Sequence, residues 1–562
     1  MTSGYHGKTE RILVQGIVLI KTLARVFIML ALAVGIAACS SSSGSSGGAS
    51  PPPPVSPPPP PASGWQAGVF APWENSIARC ENPRNGTDPI SGQPYLDVQG
   101  TLLDENNFLR SYSDDTYLWY DEITDQDPGL FNNPVTYFAQ LKTFEEIAPG
   151  VPKDPSGFHF SLTDEEYINQ FQIGVTFGYG ARFVILSNAL PRDVTIAFIE
   201  PGSSADNEGI DRGTRILAVD GVDINSNNTQ DLQTINAGLF PSQDGEQHTF
   251  SVLDLGAAAP RDVTLTAGEV TRSYVQNAQV IETGTARVGY MTFFAYRPTA
   301  EKGLVDAVNL FNQGDGIDDL VIDLRYNGGG LLDLAAQLGY MIAGPAATMG
   351  ETFELQQFND KYPVIDPIFG ETIEPVPFYD QTLGWDPAML TAGQDLPTLN
   401  LQRVFVITTA STCSASEALI NGLRGVDIEV IQIGSTTCGK PYGFFPTPNC
   451  GNVYFTIQFQ GINAKGFGDY ALGFVPSPAD DGLANVRGCP AGDDFDQLLG
   501  DPDEDMLEVA LAFQNGQGCV SPAAAAPGLF AKPTAPADSM SPTIHRSPLD
   551  TARIVTRPRN DR

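Results

Sequence analysis

The chain has 562 residues, 42% of them hydrophobic and 17% charged, with 31 Lys and Arg against 66 Asp and Glu for a net charge of −35. At roughly 150 residues per domain that length leaves room for about three or four domains and a sizeable core. The acidic balance argues against nucleic acid and against a polybasic membrane-surface binder, because phosphate-rich partners would be repelled.

Lys8, Arg11, Lys21 and Arg25 precede an apolar run from Val26 to Ala38, which ends at Cys39. The run is too short to span a bilayer comfortably as a helix, and its charged flank and small-residue end fit a secretory signal over residues 1–38. "IAAC" resembles a bacterial lipobox, which implies cleavage before Cys39 and diacylation of its sulfur. An ordinary signal peptide with an incidental cysteine is the alternative. Residues 39–64, Ser/Gly followed by polyproline, read as a spacer that holds a body away from a surface. With Ser40 beside the cysteine, the resemblance to Gram-negative lipoproteins implies a lipid anchor in the outer membrane, facing the periplasm.

Residues 65–168 are expected to form an N-terminal helical domain: "FLRSYSDDTYLWYDEI" and "PVTYFAQLKTFEEI" are aromatic-rich, and Pro134 suits a first helical turn. From 171 to 270 short β-branched runs are broken by Gly, Asp and Asn. "IGVTF", "VTIAFIEPGSSADNEGI" and "RGTRILAVDGVDI" resemble a PDZ domain, with Thr214 where that family usually has Asp. The resemblance implies that Ile173, Gly174 and Val175 bind a peptide, their N–H groups taking a terminal carboxylate while a strand edge adds the chain. A PDZ domain that only spaces its neighbours is the alternative.

Residues 271–519 alternate strand and helix. Strands are expected at 286–296, 318–325, 403–409 and 428–434, and helices at 300–313, 331–344 and 416–425, the last ended by Gly425. Such alternation implies parallel crossovers, whose ligands bind beyond the carboxyl ends of the strands. Residues 520–562 read as a disordered tail, mildly basic at its end.

Three consecutive strand ends carry unusual residues: Asn327 to Gly330, the hydroxyl cluster Ser411, Thr412, Ser414 and Ser416, and "STTCGK" ending at Lys440. A Ser just before a helix sits at the positive end of the helix dipole, where the next N–H groups can receive an oxyanion. A Gly-rich turn on the adjacent strand brings backbone N–H groups close. Lysine can act as base only if desolvation lowers its pKa from about 10.4 toward neutrality. "DLRYNGGGLL", "TCSASEALINGLRG" and "IGSTTCGKPYG" resemble the core motifs of the C-terminal processing peptidases, or tail-specific proteases. That resemblance implies a multidomain α+β fold: a helical cap, a β-barrel-like PDZ domain, and an α/β core of the ββα-spiral, crotonase-like kind. It further implies a serine endopeptidase with Ser414 as nucleophile, Lys440 as base, and an oxyanion hole from Ala415 with Gly328 or Gly329. No cofactor or metal is implied. Phe444 stands where members commonly have a Gln that orients the Lys. A catalytically weak or inactive scaffold that binds C-termini is therefore the alternative function.

His159 is the one His outside the signal, the PDZ segment and the tail, and a His base in a related branch makes it the rival to Lys440. Ser411 and Ser416 are lesser candidates for the nucleophile. Beyond Cys39 the six cysteines Cys80, Cys413, Cys438, Cys450, Cys489 and Cys519 suit disulfides in an exported chain, and no CxxC spacing points to zinc. Cys413 and Cys438 follow neighbouring strand ends, so a bridge between them would clamp the nucleophile turn to the base turn. Cys438 with Cys450 is the competing pairing. The expected partners are proteins or peptides with apolar C-termini and, through the lipid, the membrane. The segment 463–478 is read either as a groove lining or as a connecting loop.

Overall fold

The computed structural model describes residues 64–89, 92–187, 189–520 and 553–555. The expected signal, Cys39 and nearly all of the spacer lie outside the described residues, as do 521–552 and 556–562. No helix among the described residues is long and apolar enough to cross a membrane.

Helix α1 (Leu102–Thr116) starts at Thr101, whose hydroxyl accepts the Asp104 N–H while the Asp104 carboxylate accepts the Thr101 N–H. Its Phe108, Leu109 and Tyr112 pack with Tyr137, Phe138 and Tyr454. The helix expected from Pro134 stops at Phe138. Tertiary bonds explain the stop: Thr143 donates its N–H to the Tyr117 hydroxyl at 3.2 Å and its own hydroxyl to Glu122 at 2.6 Å. This first segment is also less helical than expected further on, because β1 (Phe160–Thr163) pairs antiparallel with Asn452–Phe455 of the core.

After a π-helical turn at Ile168–Ile173, Val175–Gly178 pairs with Gly268–Thr271. Between them lie β2 (Ala181–Ser187), β3 (Asp193–Ile199), β4 (Arg215–Val219), helix α2 (Thr229–Leu239), β5 (Gln247–Leu253) and β6 (Arg261–Thr266). They make a sheet in spatial order β6-β5-β4-β3-β2, so β2 is an open edge. Ile196, Val219, Phe250 and Leu265 form a core separate from that of the following segment.

The remaining chain builds a seven-stranded sheet. Its elements in chain order are β7 (Val275–Glu282), β8 (Arg287–Phe293), α3 (Ala300–Phe311), β9 (Asp319–Asp323), β10 (Gly330–Leu331) and α4 (Leu332–Ala343). They continue with β11 (Arg403–Thr408), α5 (Ala415–Gly425), β12 (Glu429–Gly434), β13 (Tyr442–Gly443), β14 (Val475–Ser477), β15 (Asn485–Pro490) and α6 (Asp505–Gln514). The spatial order is β7-β8-β9-β11-β12-β15-β14, with β10 and β13 outside this sheet and every pairing after β7-β8 parallel.

The row Tyr290, Val321, Phe405, Ile431 crosses four strands and faces Met506, Leu507 and Ala510 of α6. On the other face Leu320, Ile322, Val404, Val406 and Val430 meet Leu304, Leu338 and Leu419 from α3, α4 and α5. Burial on both faces is why these strands read as unbroken apolar runs.

Disulfides join Cys80 to Cys450, Cys413 to Cys438 and Cys489 to Cys519. The competing Cys438–Cys450 pairing is thereby corrected. One part of the expected disordered tail is ordered: Arg553–Ile554 forms a strand, β16, against β10.

Candidate active site

Because β9, β11 and β12 run parallel, the turns that follow them share one edge of the sheet, and hydroxyls stitch those turns together. Thr412 donates to the Leu324 carbonyl at 2.7 Å, Ser416 to the Asn327 carbonyl at 3.1 Å, and Thr409 to the Arg325 carbonyl. The Cys413 N–H adds a bond to the Asn327 carbonyl at 3.0 Å. Ser416 is thus committed to structure, which removes it as a nucleophile. Ser414 is fully buried at the cap of α5 with φ 62° and ψ −112°. A left-handed φ at a non-glycine residue stores strain, and such strain clusters at functional turns.

What holds that turn is Glu417, in the first turn of α5 and wholly buried. One carboxylate oxygen accepts the Ser414 N–H at 2.9 Å and the Lys440 N–H at 2.8 Å; the other accepts the Gly439 N–H at 2.8 Å and the Thr437 hydroxyl at 2.6 Å. Burial raises its carboxyl above the ordinary range while these bonds pull it back. Three of the four donors are backbone N–H groups, which only accepting oxygens can satisfy. Glu417 was missed from sequence, although Ser414-x-x-Glu417 has capping-box spacing. The Cys413–Cys438 disulfide and a Cys438 N–H bond to the Thr412 carbonyl at 3.0 Å tie the same two turns.

Lys440 is fully buried, its Nζ 4.2 Å from the centroid of Phe158 and 4.8 Å from that of Phe444. Phe444, where the resemblance implies a Gln, therefore does contact the lysine, by a ring face in place of an amide. Asp154 lies close enough to interact with the Lys440 charge; burial pushes its carboxyl up to about 6. The turn is close-packed from behind: a Cβ on Gly439 (φ +84°) would lie 2.3 Å from the Ala471 carbonyl. Thr437 and Phe474 exchange two hydrogen bonds, N–H to carbonyl at 3.0 Å and N–H to hydroxyl at 2.7 Å. Part of segment 463–478 thus buttresses the lysine turn.

Of the oxyanion candidates, Ala415 opens α5, where helical N–H groups have no partner within the helix. Gly329 donates its N–H to Asn327 Oδ1 at 2.9 Å, which leaves Gly328 as the donor of that pair not turned to a side chain. His159 is corrected as a base. It is buried and stacked on Phe138, with Nε2 2.7 Å from the Phe138 carbonyl and Nδ1 3.0 Å from the Thr456 hydroxyl. A carbonyl only accepts, so Nε2 carries the proton and Nδ1 receives the Thr456 hydroxyl.

In the β2–β6 segment, a cavity of about 720 Å³ is lined by Val175, Gly178, Tyr179, Gly180, Phe183, Leu239 and Phe240 among others. Of the three residues expected to bind a peptide, Val175 lines it and Ile173 and Gly174 do not. The turn that enters the open edge strand is Gly178-Tyr179-Gly180, pinned by the Tyr179 hydroxyl on the Gly238 carbonyl at 2.9 Å. Two glycines flanking an aromatic before an alternating strand were the available signal. From the same segment Arg212 reaches the core, donating to Tyr326 at 2.7 Å and to Asp493, which also binds Arg325 at 2.9 Å.

A mixed α/β multidomain fold thus gathers a strained serine, a buried lysine and a glycine turn at one sheet edge. Residues 287–448 match Peptidase family S41, and residues 104–160 match the Peptidase S41 N-terminal domain. The carboxyl-terminal-processing protease of Synechocystis sp. is 29% identical over 163 residues, 29% of this chain and 36% of that one. The chloroplastic carboxyl-terminal-processing peptidase 1 of Arabidopsis thaliana is 29% identical over 244 residues, 42% of each chain. The chain spans about a third to two fifths of the length of the curated relatives it matches. A Bacteroides fragilis protein solved as a candidate S41 protease shares the fold, with a TM-score of 0.56 at 22% identity over 73% of this chain and 97% of that one.

Proposed function

We propose that this protein is a serine endopeptidase of the C-terminal processing kind, with Ser414 as nucleophile and Lys440 as general base. The observation that carries the reading is the single Glu417 oxygen that receives the N–H of both residues. In this reading Lys440, fully buried on the turn beside Ser414, acts as base in its neutral amine form. The Ser414 Oγ attacks the scissile carbonyl carbon as its proton passes to Lys440 Nζ, and the Ala415 and Gly328 N–H groups receive the oxyanion. Lys440 then protonates the leaving amine, and water, deprotonated by the same lysine, releases the acyl group from Ser414.

The cavity beside β2 and the Gly178–Gly180 turn suit capture of an apolar C-terminus by strand addition in a PDZ-like manner. Together with the signal and lipobox over residues 1–39, this reading places the enzyme on the bacterial envelope, anchored by lipid and facing the periplasm. Its substrates are then exported proteins with apolar C-termini. The test is acylation by an activated ester followed by peptide mapping of the full chain. An acyl adduct on Ser414, absent from Lys440→Ala, is expected; an adduct on Ser411 instead would overturn the assignment.

A further inference from the structure

Strand β16 lies between the two walls of the candidate site. Arg553 and Ile554 pair in parallel with Gly330 and Leu331 of β10, directly after the Gly328–Gly329 turn. On its other side Ile554 bridges Phe444, and the Val555 N–H donates to the Phe444 carbonyl at 3.2 Å. Phe444 is one of the two residues whose rings face the Lys440 amine. A three-residue strand thus joins the oxyanion-side strand to the base-side strand by main-chain pairing, the manner in which an extended peptide is held. Ile554 is fully buried with Leu331 and Phe444 in the main core, and Val555 packs beside it.

The occupant is this chain's own tail. Residues 521–552 supply up to about 100 Å of contour between the core and Arg553, ample to return to the site. The tail ends "RIVTRPRNDR", whose four arginines are drawn to a chain of net charge −35. On its side away from β16, Gly330 is held against Tyr296, where a Cβ at its φ of +136° would lie 2.0 Å from the Tyr296 carbonyl.

We propose that residues 553–555 occupy the seat of the extended substrate and act as a tethered competitor, so that the enzyme holds its own C-terminal segment until a substrate displaces it. This rests on the peptidase reading for the identity of the seat. A tethered occupant lowers apparent substrate affinity by the fraction of molecules in which the seat is open, and leaves the chemistry of the open state unchanged.

The test compares the full chain with Ile554→Asp and with Val555→Pro, which removes the N–H given to Phe444 and disfavours the extended pairing at Ile554 less severely than a buried charge. Each is assayed with a fluorogenic unstructured peptide with an apolar C-terminus. Binding of a labelled synthetic peptide of sequence 549–562 is followed by anisotropy, and folding by thermal melting. Ile554→Asp should lower KM about tenfold at constant kcat and bind the labelled peptide, which in turn should inhibit it competitively. Val555→Pro should shift the same way by a smaller factor, and the wild type should not bind the peptide. Unchanged KM with no peptide bound by folded variants would make β16 a fixed strand and overturn the proposal. If no form cleaves but the variants alone bind the peptide, the tail seat stands and the peptidase reading fails.

Discussion

The backbone N–H groups of Ser414 and Lys440 donate to one and the same oxygen of Glu417, at 2.9 and 2.8 Å. Two turns on neighbouring strands are thereby referenced to a single buried atom. The disulfide between Cys413 and Cys438 and the Asn327 carbonyl bonds add further ties, so the proposed dyad is set by the strand ends themselves.

Glu417→Gln keeps the shape but turns an amide N–H₂ toward donors on one side. A displacement of the turns by an ångström or so costs about 10²-fold in rate, and one buried donor left unmatched costs about 1–3 kcal/mol. We expect kcat to fall about 10²-fold with KM nearly unchanged and the melting temperature lowered. A variant that loses stability but keeps kcat would make Glu417 purely structural.

The disulfides should separate in the same assay. Replacing Cys413 and Cys438 together by Ala should lower kcat about tenfold, by the same displacement argument. Replacing Cys489 and Cys519 should leave kcat unchanged and remove about 2–4 kcal/mol of stability. Cys489 and Cys519 join β15 to the segment after α6 on the face of the sheet that α6 covers, and neither lies within the Ser414 or Lys440 turn. Equal kcat for all three forms would refute the clamp.

Two buried groups near the site give stability slopes of opposite sign in acid. Burial lowers His159 from 6.5 to about 3, so between those values the unfolded chain takes up a proton that the folded chain refuses, and stability falls as pH drops. Burial raises Asp154 from 3.8 to about 6, so the unfolded chain ionises first and stability falls as pH rises through that window. Chemical denaturation from pH 4 to 8 should show His159→Gln losing the first slope with kcat retained. Asp154→Asn should be more stable by roughly 2–3 kcal/mol at pH 8, at about 1.4 kcal/mol per pKa unit.

The parallel core was legible almost to the residue: strands at 319–323, 403–408 and 429–434 fall inside the ranges their apolar runs define, and the helix at 415–425 begins one residue before its expected start. Burial on both faces writes itself into composition. That the turns carrying Ser414 and Lys440 share one sheet edge was legible from the parallel strand ends, while the choice of Ser414 among the hydroxyls came from the resemblance to the C-terminal processing peptidases. The early end of the Pro134 helix was not, because bonds from Thr143 to Tyr117 and Glu122, distant in sequence, override local propensity. His159 looked available because sequence does not display the Phe138 carbonyl and Thr456 hydroxyl that occupy it. The short run Arg553–Ile554 carries no periodicity; only its seat between β10 and Phe444 gives it structure.

The most direct measurement is the initial rate at which the full chain, Ser414→Ala, Lys440→Ala and His159→Gln cleave an unstructured protein with an apolar C-terminus, with product ends read by mass spectrometry. The account predicts cleavage by the wild type and by His159→Gln, and losses of at least about 10³-fold in both Ser414→Ala and Lys440→Ala. Cleavage that survives Lys440→Ala, or a wild type that binds the protein without cutting it, would contradict it.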